Sequence, residues 1–185
     1  MSTQNYVCGF DEVGRGAIAG PVIVASVVFN NYSDIPAGIK DSKKISAAKR
    51  LILYNKIKRV ASIGFGIVMP NIIDKIGILK ATNLAAQQSI PEHLDVKKYL
   101  IDGNIKIDTN NSVENIIKGD ENYVSIAAAS IIAKVTRDKI MVNKNIEYSK
   151  YKWDKNKGYG TKDHLLAIKN YGITYFHRKS FNLHI

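Results

Sequence analysis

The chain has 185 residues, enough to bury a core within one domain spanning 1–185, and its 45% hydrophobic content excludes disorder. A net charge of +11 and a pI near 9.6 point to a polyanion as partner, while no apolar run approaches the roughly 20 residues of a membrane helix. The single Cys8 excludes an internal disulfide and a cysteine-based zinc site. The polar start Met1-Ser2-Thr3-Gln4-Asn5 does not read as a signal peptide, so a cytoplasmic protein without membrane contact is expected.

In chain order, residues 5–10 and 22–29 are rich in β-branched side chains and separated by a glycine turn, which predicts an antiparallel strand pair. Ser46 reads as the N-cap of a helix with an apolar face of Ala47, Leu51, Tyr54 and Ile57. Ser46-Ala47-Ala48-Lys49 also matches an S-x-x-K element, but its companion motifs are missing and capping explains Ser46 better. Residues 61–68 predict a third strand, stopped by Met69-Pro70, and residues 78–88 a helix. Short strands follow at 97–101 and 113–117, then a long helix at 125–143. In that helix the small residues Ala127-Ala128-Ala129-Ser130 permit close packing on a sheet. One more helix is expected at 162–170. Strands first, then strands alternating with helices, indicate a mixed α/β sheet covered by helices.

Acidic residues recur at the ends of these strands. Asp11 and Glu12 follow residues 5–10, Asp102 closes Tyr99-Leu100-Ile101, and Asp120 follows Ile116-Ile117-Lys118-Gly119. Hard divalent cations take oxygen ligands, and two of them can clamp the attacking and leaving oxygens of a phosphodiester. Convergent carboxylates inside a basic protein therefore suggest a metal site working on a polyanion. As sequence neighbours, Asp11 and Glu12 would face opposite sides of a regular strand, so a shared site calls for a bend at Glu12. The alternative is that all of these carboxylates are solvated turn residues. Gly14-Arg15-Gly16 suits a turn whose backbone N–H groups approach an anion, or an ordinary hairpin turn. It is not a dinucleotide fingerprint, since the next glycine is Gly20 and a strand follows, so no nucleotide cofactor is expected.

Basic charge concentrates between Lys134 and Lys157, interleaved with Tyr148, Tyr151, Trp153 and Tyr159. Basic residues beside aromatics suit backbone neutralisation and base stacking; a solvated helix face and loop is the plainer reading. His93, His164 and His177 lack ligand spacing and read as structural or exposed.

Several segments carry a family resemblance: Gly9-Phe10-Asp11-Glu12-Val13-Gly14-Arg15-Gly16 with Ala19-Gly20-Pro21-Val22, Lys40-Asp41-Ser42-Lys43-Lys44, Ile101-Asp102-Gly103-Asn104 and Lys118-Gly119-Asp120. The stretch from Ile126 to Asp138, then Lys157-Gly158-Tyr159-Gly160-Thr161 and His177-Arg178-Lys179-Ser180-Phe181, complete the set. In this order they resemble type 2 ribonuclease H (ribonuclease HII) of the bacterial type, over nearly the whole chain. The intact glycine-arginine-glycine favours type 2 over type 3, as does the short lead into the first strand. The resemblance implies a ribonuclease H-like, five-stranded mixed sheet flanked by helices, with a helical C-terminal extension. It implies an endoribonuclease that hydrolyses the RNA strand of RNA–DNA hybrids and cuts 5′ of single ribonucleotides in duplex DNA. The ends left would be a 3′-hydroxyl and a 5′-phosphate. Asp11, Glu12, Asp102 and Asp120 match the catalytic carboxylates that bind Mg2+ or Mn2+. Gly14, Arg15 and Gly16 match the tripeptide that reads the 2′-hydroxyl, Tyr159 matches the tyrosine against the sugar, and Lys43 matches a substrate-binding position. A monomer is the expected state. Two rivals stay open at this level: a DNA-directed nuclease with the same carboxylates, and a non-catalytic hybrid-binding protein.

Overall fold

A computed structural model describes residues 6–40, 42 and 45–183; Lys43 lies outside them, with Asp41 and Lys44. Five strands form one sheet: β1 (Tyr6–Val13), β2 (Val22–Phe29), β3 (Ala61–Val68), β4 (Val96–Asp102) and β5 (Ser112–Ile116). Their order is β3-β2-β1-β4-β5, antiparallel on the β3-β2-β1 side and parallel from β1 through β4 to β5. The sheet is the expected ribonuclease H-like mixed type.

All eight residues of β2 are buried because both faces of the sheet are covered. Val22, Val24 and Val28 pack with Phe10, Ile73, Ala81 and Ala85 under α2 (Pro70–Ile76) and α3 (Ile78–Gln88). Ala25, Val27 and Phe29 face the other way, against Leu53 and Ile57 of α1 (Ala47–Val60) and Ala128, Ile131 and Ile132 of α5 (Val124–Glu147). A period of two along the strand thus serves two cores. On β1 the helix comes very near at Gly9, where a Cβ would stand 2.3 Å from the Ser125 carbonyl carbon of α5. Glycine here, facing the small residues of the helix, lets α5 lie directly on the strand that carries Asp11.

Ser46 caps α1 as expected, its Oγ accepting the Lys49 N–H at 3.3 Å. Three elements depart from the sequence expectation. Pro70 ends a strand but also opens α2 at its first turn, where its missing N–H costs nothing. The long helix runs four residues further, to Glu147. Asp120 sits not at a strand end but in the short helix α4 (Gly119–Asn122), entered through Lys118 at φ 56°. A third core, of Ile18, Ala19, Met141, Tyr151, Trp153, Ala167, Ile168 and Phe176, binds α6 (Trp153–Asn156) and α7 (Lys162–Tyr171) to the rest. That is the helical C-terminal part.

Candidate active site

Parallel pairing brings acids together. β1 and β4 pair up to Phe10 with Ile101, and the next residue on each strand is Asp11 and Asp102. Adjacent strands lie about 4.8 Å apart, so the two carboxylates stand side by side at the same end of the sheet. Asp11 shares the face of Gly9 and Ala25, under α5. Glu12 is paired with Val24, which faces the other core. No bend occurs at Glu12; β1 continues to Val13 and turns only at Gly14, φ 92°. Both acids still reach one cavity of about 340 Å³, lined by Asp11, Glu12, Val13, Ser42, Ser130, Lys134 and Tyr159. It opens over the strand's end, so the pleat does not separate them.

Asp11 is only 7% exposed. Burial drives its carboxyl well above the usual carboxylate range; a hydrogen bond with Ser130 opposes this, and the charges of Glu12 and Asp102 push it up further. With its one proton on Asp11, Ser130 Oγ accepts in turn from Ser42 Oγ at 2.8 Å. Glu12 Oε1 accepts from the Arg15 guanidinium at 3.1 Å. Asp102 Oδ1 accepts the Gly119 N–H at 2.7 Å, which ties the end of β4 to the turn carrying Asp120. Asp120, also buried, lines a second cavity of about 440 Å³ with Tyr123, Lys40 and Ala127. Ala127 and Ser130 are three residues apart on α5, about 4.5 Å of rise, so neighbouring positions of one helix line both cavities.

Mutually repelling, partly buried carboxylates fit a divalent cation, because its charge removes the repulsion and its preferred donors are hard oxygens. Among the described residues, no three His, Cys, Asp or Glu side chains already form a ligand group. The acids share a field without enclosing a point. Lys134, the first residue of the basic stretch, lines the cavity; Ser42 and Ser130, which line it too, were missed by the motif reading. Their signal was only their place inside motif segments. Lys134 is half-buried and paired with Asp138 at 2.9 Å.

Two buried arginines hold the turn that follows β1. Arg137 donates to the carbonyls of Pro21, Ala19 and Lys157 at 2.7–2.9 Å. Arg178 donates to those of Gly20 and Arg15 at 3.0 and 2.9 Å. Arg137 also stacks over the Tyr159 ring, 5.3 Å from its centroid. Arg137 is thus structural and not part of a phosphate-facing basic stripe. Gly14 and Gly16 differ. A Cβ at Gly14 would meet the Arg137 side chain at 2.3 Å, whereas Gly16 has open space and no positive φ. The expected aromatic stacking surface also needs correction. Trp153 is fully buried and Tyr151 nearly so, stacked on each other at 5.4 Å in the third core. Of that group Tyr159 lines the cavity with the acids. His164 and His177 are buried structural residues.

The sheet order, the parallel-strand carboxylates and the covering helices define a ribonuclease H-like hydrolase. A family model described as Ribonuclease HII matches residues 8–184. A ribonuclease HII of Wolbachia sp. subsp. Brugia malayi (strain TRS) is 47% identical over 179 residues, covering 96% of this chain and 88% of that protein. Among solved structures, the PCNA:RNase HII complex from Archaeoglobus fulgidus superposes with a TM-score of 0.78 at 27% identity, covering 96% of each chain. Bst-RNase HIII in complex with Mn2+ shares the fold, at a TM-score of 0.77 and 18% identity over 96% of this chain and 67% of its own. The chain belongs to the ribonuclease HII family: it is a ribonuclease H, an endonucleolytic phosphodiester hydrolase.

Proposed function

We propose that residues 1–185 form one catalytic domain that cuts the RNA strand of RNA–DNA hybrids and cuts 5′ of single ribonucleotides in duplex DNA. It would work as a monomer in the cytoplasm; among the described residues no helix is long and apolar enough to cross a membrane. The single observation that supports this most is the shared cavity of Asp11, Glu12 and Tyr159, one residue along the strand from a turn held against Arg137. Asp11, Glu12, Asp102 and Asp120 would hold magnesium or manganese. Such ions, when bound, neutralise charge on the scissile phosphate and activate the attacking water, which leaves a 3′-hydroxyl and a 5′-phosphate.

The chain's own residues supply placement. Ser130 and Ser42 fix the Asp11 carboxyl, the Gly119 N–H fixes Asp102, and Arg15 fixes Glu12. The exposed backbone at Gly16, beside Arg15, is where a 2′-hydroxyl can be met, and the Tyr159 ring supports the sugar. The 2′-hydroxyl is the one group separating RNA from DNA at a given position. Lys43, in the Ser42 segment, is proposed to contact the backbone of the nucleic acid.

The test is turnover of an RNA–DNA hybrid in magnesium, in manganese and in chelator, with Asp11→Asn beside the parent. Turnover in either metal, lost in chelator and in the variant, is expected. Equal turnover in chelator would overturn the metal assignment. Retention of hybrid without cleavage in both metals would favour a binding protein.

A further inference from the structure

Tyr159 sits on a turn whose backbone is held from below by a buried polar chain. Trp153 Nε1–H donates to His164 Nε2 at 3.0 Å, so that nitrogen carries a lone pair and not a proton. A neutral imidazole has one proton, which must then be on Nδ1. Nδ1 lies 2.9 Å from the Tyr159 carbonyl oxygen, and the N–H donates to it. The same logic runs one ring further. The Thr174 N–H points at His177 Nδ1 at 2.9 Å, so His177 carries its proton on Nε2, which faces His164 Nε2 at 3.2 Å. Every proton in the chain therefore runs toward the Tyr159 turn, from Thr174 through His177 and His164.

Both histidines are fully or almost fully buried, and burial keeps His164 below its ordinary pKa and His177 at about 4, hence neutral. The groups facing the pair are the rings of Trp153 and Tyr151, the Tyr159 carbonyl and the Thr174 hydroxyl, with Phe176 behind Trp153. None carries a formal charge. Two neutral histidines in a tryptophan-lined core are unnecessary for packing alone, since apolar rings of similar volume would fill it without a polar requirement. What they add is a fixed donor at one carbonyl.

We propose that His164, locked in its Nδ1–H tautomer by Trp153 and His177, is a positioning residue that sets the Tyr159 ring against the ribonucleotide's sugar. This deepens the reading of Tyr159 given above and rests on it. Misplacing a group by about 1 Å costs up to a hundredfold in rate, so a loss between tenfold and a hundredfold is expected when the donor is removed.

Two measurements decide it. In the intact protein at pH 7, two-bond 1H–15N correlations of the imidazoles should show the proton of His164 on Nδ1 and that of His177 on Nε2. The opposite tautomer of His164 overturns the proposal without any substitution. Then kcat and KM are compared for His164→Phe and His164→Asn on a duplex with one embedded ribonucleotide and on a long RNA–DNA hybrid. The phenyl ring keeps volume and loses the donor; the asparagine amide can still donate near the Nδ1 position. His164→Phe should lose kcat on the single ribonucleotide with KM within about threefold, and more than on the long hybrid, while His164→Asn recovers most of the loss. Equal losses in both variants, or equal losses on both substrates, reduce His164 to a packing residue and overturn the proposal. Tyr159→Ala, run alongside, separates the two failures. If it leaves single-ribonucleotide cleavage unchanged, the reading of Tyr159 is wrong; if it is impaired and His164→Phe is not, only the positioning role is wrong.

Discussion

Gly14 is glycine because of its own backbone, at φ 92° with the Arg137 side chain where a Cβ would sit, whereas Gly16 is exposed and open. The two positions therefore separate folding from substrate approach. Gly14→Ala should lower stability by about 1 kcal/mol or more, read as a lower Tm. Gly16→Ala should melt like the parent and lose activity only if nucleic acid comes close to that backbone. Full activity in Gly16→Ala would remove the close approach from the account. Asp11 makes a similar contrast. Its burial and its repulsion from Glu12 and Asp102 mean that Asp11→Asn loses a charge the fold resists. The metal-free variant should melt at or above the parent's temperature, yet turn over at least about a hundredfold more slowly, as for other lost electrostatic stabilisers. A destabilised variant, or one with near-normal turnover, would contradict this.

At the scale of elements, the basic loop and α6 divide in two. Trp153 and Tyr151 turn inward and build a core, while Lys155 stays exposed and Lys157 donates to the Asp154 carbonyl. Neutralising Lys155 and Lys157 together should flatten the salt dependence of hybrid binding by roughly 0.9 in slope for each lysine that contacts a phosphate, with plain duplex weakened equally. An unchanged slope would make both lysines mere solvated charges. This region also shows where pattern reading ends. Alternating lysines and aromatics look alike whether the rings meet bases or a core, because periodicity does not reveal what packs on top of a short irregular segment. The strands read well because apolar β-branched runs are bounded by turn residues, and α5 because its alanines demand a close neighbour. Asp120 was legible as an acid near Asp102 but not as a helical residue, since a four-residue helix entered through a left-handed lysine has no periodicity to find. Ser42 and Ser130 were invisible as partners because they are far apart in sequence and are joined only by tertiary packing against Asp11.

For the whole molecule, the C-terminal core sets an acid limit. Burial first, and then the charge of His164, bring His177 down to about 4 from 6.5. Between those values the unfolded chain takes up a proton that the folded chain refuses. The contribution of neutral His177 is thus complete above pH 6.5 and lost progressively as pH falls toward 4. Tm followed from pH 7.5 to 4.5 should drop more steeply for the parent than for His177→Gln, and parallel curves would contradict the assignment. The same core carries Tyr159 on one side and the sheet carries the acids on the other, so the molecule's central claim is that both act on one nucleotide. The cleavage map of a duplex containing one ribonucleotide tests it most directly, with an all-DNA duplex and Tyr159→Ala as comparisons. Loss of the ring contact is worth roughly 1–3 kcal/mol, or about 5- to 150-fold in rate. A single cut 5′ of the ribonucleotide, reduced by that factor in Tyr159→Ala and absent from all-DNA, is the predicted result. Equal cutting of the all-DNA duplex, or an unaltered cut in Tyr159→Ala, would contradict it.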